Sequence, residues 1–171
     1  MVRANSALCI RSGRPPPYSS AWISTRAAFD LDATYGALWD EAPAAAFASV
    51  NTMSLFGLHR RWRGAALGHL AAVEMTSSEP SRRYSAGLRR LGFGDATTVF
   101  YDEHVEADAV HEQIASVDMC GSLVAEDPSL LADVLFGAAC SLALDGLTAV
   151  HLLGAWEAGR SGLYSEPALA A

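Results

Sequence analysis

The sequence contains no lysine, and all 12 of its basic side chains are arginine. With its abundant alanine, that reads as the coding bias of a GC-rich genome and carries no functional weight. Cysteine is scarce: Cys9, Cys120 and Cys140 are the three present, and no two share a CxxC or other metal spacing. A thiolate zinc site is therefore excluded, and an odd cysteine count suits a reducing, cytoplasmic compartment. Cys120 and Cys140 stand among apolar or small residues and read as ordinary buried thiols. There is no Gly-rich phosphate loop, no G-x-S-x-G, no H-E-x-x-H and no internal repeat. Gly92-x-Gly94 is isolated and means a turn. A net charge of −7 argues against general binding to nucleic acid or anionic membrane, though the charge is unevenly spread.

What is present suits one domain with a sizeable core, since 51% of the 171 residues are hydrophobic. Ala, Leu, Glu and Arg dominate over β-branched runs, which predicts an all-α protein. Residues 1–26 differ from the rest: they hold four arginines, no acid, and Pro15-Pro16-Pro17. They read as an irregular leader, either a transit peptide or a non-native extension. The apolar run Ala7 to Ile10 is too short for a secretory signal. Residues 27–164 read as the globular domain and 165–171 as a frayed tail.

Within the domain the pattern predicts a short helical piece over Ala33–Trp39, then a longer helix entered at Pro43. Phe47, Val50, Met53, Ser54, Phe56 and Gly57 form its apolar stripe, and Arg60, Arg61 and Arg63 crowd its far end. Gly64 marks either a break or close packing. A helix over Ala65–Ser77 follows, with Leu67, Leu70, Ala71 and Glu74 on one face, before Ser78-Glu79-Pro80 interrupts it. A short basic helix, Ser81–Leu91, ends at Gly92, and Asp95 is placed to cap a helix over Ala96–Val117. The last helix, Ser129–Trp156, is apolar nearly all round and reads as a central buried helix. Asp133, Asp145 and His151 interrupt it too often for a membrane span, and Asp145 and His151 read as hydrogen-bonded core polars.

Chemistry concentrates in two places. His104, Asp108 and His111 follow one another at spacings of four and three, so one helix would carry all three on a single stripe. Imidazole and carboxylate from one stripe are ligands for a first-row transition metal; a solvated acidic helix face is the plainer alternative. Glu103, Glu106 and Glu112 lie off the stripe and read as solvated. Glu74, thirty positions earlier, falls on a face that should be buried, where a carboxylate needs a cation, a metal or a proton. A salt bridge to Arg82 or Arg83 would also answer that need. Two histidines with carboxylates suit Fe(II) or Mn(II) better than structural zinc. A ferritin-like site would want two Glu-x-x-His motifs, and only Asp108-x-x-His111 is present.

Three co-linear runs, NTMSLFGLHRR over 51–61, GHLAAVEMTSS over 68–78 and FYDEHVEADAVH over 100–111, resemble the bacterial iron-containing redox enzymes. Those are haem-oxygenase-like diiron oxidases and oxygenases, and the resemblance extends from about Phe29 to Tyr164. It implies an all-helical, haem-oxygenase-like bundle that binds nonhaem iron, as a mono- or diiron site, and activates O2 toward a small-molecule substrate. Glu74 falls on the family's third-helix carboxylate, and His104, Asp108 and His111 fall on its His-x3-Asp-x2-His motif. The family's earlier Glu and His have no counterpart here, since the first Glu is Glu41 and the first His is His59. The chain is thus expected to be a C-terminal portion lacking N-terminal helices, truncated and impaired as an enzyme. The rival expectation is a noncatalytic helical module. It would pair as a homodimer, or with a partner, through uncovered faces of the Phe47–Phe56 and Val134–Leu144 helices.

Overall fold

A computed structural model of the chain describes residues 25–32, 34 and 36–164. The leader before Thr25, with Cys9, and the tail from residue 165 lie outside the described residues. Among the described residues five α-helices carry the fold: α1 (Ala44–Leu58), α2 (Arg63–Arg90), α3 (Asp95–Gln113), α4 (Ser122–Glu126) and α5 (Leu131–Glu157). A π-helical segment, Ile114–Gly121, joins α3 to α4, and short 3-10 turns precede α1, α2 and α5. No strand occurs among the described residues, as the composition predicts. The chain divides into two compact units, one containing Ser77–Asp108 and the residues before 36, the other Gly36–Thr76 and Ala109 onward.

In the second of these units, Pro43 stands immediately before α1, where its missing amide donor costs no hydrogen bond. α1 packs on α5, and Phe56, 4% exposed, anchors an aromatic group with Trp62, Phe136 and His69. α2 and α5 approach until their backbones touch. A Cβ on Gly68 would stand 1.8 Å from the carbonyl oxygen of Val134, and one on Gly137 would stand 1.9 Å from that of Ala65. Gly64 therefore serves close packing and does not break the chain; its Cβ would lie 2.9 Å from that of Asp133. Ala71, Ala115, Cys120 and Val134 form the buried core, with Leu67, Leu123 and Val124 against it.

The other unit is a helix hairpin. α2 ends at Arg90, and Gly92 takes the left-handed conformation (φ 91°). The amides of Gly92 and Phe93 donate to the carbonyls of Arg89 and Leu88, which closes a Schellman motif at the glycine the sequence marks. Arg89 grips Asp102 with two hydrogen bonds, of 3.0 and 2.7 Å, and Ser85 donates to the same carboxylate at 2.5 Å. Those bonds hold the Asp102 carboxyl down to about 2.

Several expectations are corrected. Residues 36–38 form a turn and only Trp39–Glu41 is helical, as 3-10, where a helix over Ala33–Trp39 is expected. Ser78-Glu79-Pro80 does not end a helix: α2 runs unbroken for 28 residues with Pro80 inside. An interior proline costs about 3 kcal/mol, but here it is exposed and side-chain pairs to α3 brace the helix on both sides, at Ser77 and Ser85. Asp95 is the first residue of α3 and not its cap, and α3 gives way at Ile114 to the π-helical segment. Leu70 is 37% exposed, so it lies off the buried face of α2.

The largest difference concerns α5. Leu135, Phe136, Leu142, Leu147, Val150, Leu153 and Trp156 are exposed, while the buried residues are Val134, Gly137, Ser141 and Ala155. Backbone approach to α2 requires small side chains, so the small face is covered and the bulky one is not. Asp145 and His151 are hydrogen-bonded, to Ser49 and to the Gly162 carbonyl, but both are exposed and neither is a core residue. By length and composition Pro128–Glu157 is apolar enough to cross a membrane.

Candidate metal centre

The register of α2 against α3 places the chemistry. Tyr84 meets Tyr101 with ring centroids 5.5 Å apart, Ser77 meets Asp108, and Glu74 meets His111. Each step back along α2 is matched by an equal step forward along α3, as in an antiparallel pair. Because 74 and 77, like 108 and 111, differ by three, each helix offers one polar stripe at this level.

Nδ1 of His111 lies 3.2 Å from Oε2 of Glu74. Asp108, one turn earlier on α3, is 4% exposed, and its Oδ2 accepts a hydrogen bond from Ser77 Oγ at 2.5 Å. Glu74, Asp108 and His111 each offer one ligand atom, and these atoms all lie within 4.8 Å of one another. Ligands about 2.1 Å from a shared ion and at right angles are about 3 Å apart, so the His111–Glu74 separation matches one edge of a coordination shell. Two oxygens and one imidazole nitrogen are a donor set for Fe(II) or Mn(II), and a buried carboxylate is the group that gains most from a cation. The residues present fit an iron ion.

Of the four residues singled out in the sequence, the structure thus gathers three. His104 lies outside that group, one turn before Asp108 on α3. Its Nδ1 is 2.6 Å from the Phe100 carbonyl oxygen, and its ring packs against that of Phe100 at a tilt of 46° with centroids 4.3 Å apart. An Nδ1–H donated to a carbonyl leaves Nε2 as the lone-pair nitrogen, the tautomer that metal-bound histidines commonly adopt. Glu74 is half-sheltered, its side chain 21% exposed, and it pairs with His111. Arg82 and Arg83, the alternative partners, both pair with Glu79. Glu103, Glu106 and Glu112 are exposed, as their place off the stripe predicts.

Two features escape a sequence reading. Ser77 touches the site, and its only sequence signal is its place one turn after Glu74. His69 is 4% exposed, and its Nδ1 has no hydrogen-bond partner; burial lowers its pKa, against an opposing pull from Asp145. The apolar cavity of about 360 Å³ lined by Gly68, Ala71, Ala72, Met75 and Val134 takes a different face of α2. Its α2 residues centre about 120° round the helix from Glu74.

A model of the family described as iron-containing redox enzyme matches residues 19–146, more than half of the chain. The match begins within the stretch read as a leader and ends inside α5. No curated protein and no solved structure matches the chain.

Proposed function

The chain belongs to the iron-containing redox enzyme family, and on that premise we propose that it is a nonhaem iron oxidase or oxygenase. Glu74, Asp108 and His111 would hold the iron, with His104 as a further ligand from the next turn of α3. The observation that carries this reading is the convergence of three ligand atoms within 4.8 Å. Iron bound there would supply the reducing electrons for O2, and a small-molecule substrate would be the second partner. The protein's own part is to hold the ligands before the ion arrives. Glu74 and His111 orient one another across the two helices, and the Phe100 carbonyl sets the tautomer of His104. Asp108 brings a carboxylate into a buried position, where a bound cation would offset its charge.

The test is an anaerobic Fe(II) titration of wild type against His111→Ala, followed by O2 consumption. Saturable uptake by wild type, with both uptake and O2 consumption lost in the variant, is expected. The stoichiometry reads whether one ion or two bind. Equal uptake by both proteins overturns the site.

One observation favours a second reading, association with another copy of the chain as a helical module. Val50, Met53 and Leu55 on α1, and Leu135, Leu142, Leu147 and Val150 on α5, are all exposed, and apolar surface on that scale favours burial against a partner. Size-exclusion chromatography decides it: a dimer supports this reading, and a well-behaved monomer removes it.

A further inference from the structure

We propose that Ser77 is a positioning residue for the metal ligand Asp108; the proposal rests on the iron site above. Serine and threonine inside helices commonly turn back on the carbonyl four residues earlier. That is what Thr52, Ser54, Thr76 and Ser116 do here, donating to Ala48, Val50, Ala72 and Glu112 at 2.6 to 3.0 Å. Ser77 sits beside Thr76 on the same helix and has the same option. Its hydroxyl reaches across to α3 and donates to Oδ2 of Asp108 at 2.5 Å. That length is at the short end of the range for a hydroxyl donating to an oxygen.

The consequence is geometric. Asp108 is 4% exposed, so its carboxyl group is set by protein partners more than by bulk water. With Oδ2 held by Ser77, rotation of the carboxyl about its last bond is restrained. The same helix face thus supplies one ligand directly, through Glu74, and orients a second. Groups of this kind commonly matter 10- to 100-fold in metal affinity.

The test compares Ser77→Thr with Ser77→Val, two side chains of one shape that differ in the hydroxyl alone. Mn(II) binding is followed by the loss of the free-ion electron paramagnetic resonance signal, and the ligand field by the visible spectrum of bound Co(II). We expect Ser77→Thr to bind Mn(II) within about threefold of wild type, and Ser77→Val to bind it at least tenfold more weakly with a shifted Co(II) spectrum. Equal affinities and identical spectra for the two variants overturn the role of Ser77. A uniform fall in melting temperature of the metal-free variants, with no Thr/Val difference in binding, overturns it as well and assigns Ser77 to hairpin stability. His111→Ala is run alongside: if it binds Mn(II) as wild type does, the metal site itself is wrong, whatever Ser77 shows.

Discussion

Nδ1 of His111 and Oε2 of Glu74 stand 3.2 Å apart across α2 and α3, a distance that serves equally as a hydrogen bond or as an edge of a metal's coordination shell. The pair links α2 to α3, and losing either member removes the contact. Metal occupancy should therefore appear in stability. With ion at a hundredfold excess over its dissociation constant, a site present only in the folded state adds about 2.7 kcal/mol. Mn(II) or anaerobic Fe(II) should raise the melting temperature of wild type by several degrees and leave Glu74→Ala and His111→Ala unmoved. A shift of the same size in His111→Ala would dissociate the stabilisation from the site.

His104 and His111 should not be equivalent. His111 touches Glu74 directly, whereas His104 lies outside the three-residue group and is tied to the Phe100 carbonyl. His111→Ala is expected to abolish tight binding, and His104→Ala to weaken it or to remove a second ion. Calorimetric titration of both variants with Mn(II) checks the ranking, and a larger loss in His104→Ala would reverse it.

Gly68→Ala should be among the most damaging small substitutions in the protein. The added methyl would stand 1.8 Å from the Val134 carbonyl oxygen, so α2 and α5 must separate, at a cost of at least about 3 kcal/mol. Gly87→Ala is the matched control. Nothing lies within 4 Å of its Cβ, and mid-helix alanine is favoured over glycine by about 1 kcal/mol. Urea unfolding should move in opposite directions for the two.

His69 should make the fold acid-sensitive. Burial lowers its folded-state pKa below the ordinary 6.5, and its Nδ1 has no partner to receive an added proton's charge. The unfolded chain therefore takes up a proton first, so stability is full above pH 6.5 and falls as pH drops below it. Asp145, the acidic group acting on the ring, opposes the shift without reversing it. His69→Phe should flatten the stability profile just below pH 6.5, and an unchanged slope would move the effect to another group.

Asp102 acts at lower pH and with the same sign, since its folded-state pKa is also lowered. The Arg89 and Ser85 hydrogen bonds lower its carboxyl from 3.8 to about 2, so its contribution is complete above the unfolded value and is lost as pH falls from about 4 to 2. The pair is partly exposed, with Arg89 at 48% and Asp102 at 39%; solvent screening limits it to about 1 kcal/mol or less. Asp102→Asn should lower stability modestly at pH 7 and hardly at all at pH 2.

Much of this site was legible in the residues. The spacing of Asp108 and His111 fixes their common face on any α-helix, and the apolar setting of Glu74 marked it as a carboxylate in need of a partner. Ser77 was not legible, because a helical serine carries no sequence signal for a partner on another helix, and its bond to Asp108 depends on the register of α3. The exposure of α5 was misread for a related reason. An apolar composition says which residues favour burial, but not how many neighbours exist to bury them.

From the sequence alone followed the all-α class, the turn at Gly92 and the shared face of Asp108 and His111 on α3, each a consequence of local backbone preference or helical period. The tertiary structure alone decided that Glu74 meets His111, and that Pro80 interrupts nothing. It alone decided that α5 buries its glycine and serine face and exposes its leucines. Those outcomes depend on how closely two helices approach and in what register, and contacts between residues tens of positions apart, such as Gly68 with Val134, set both.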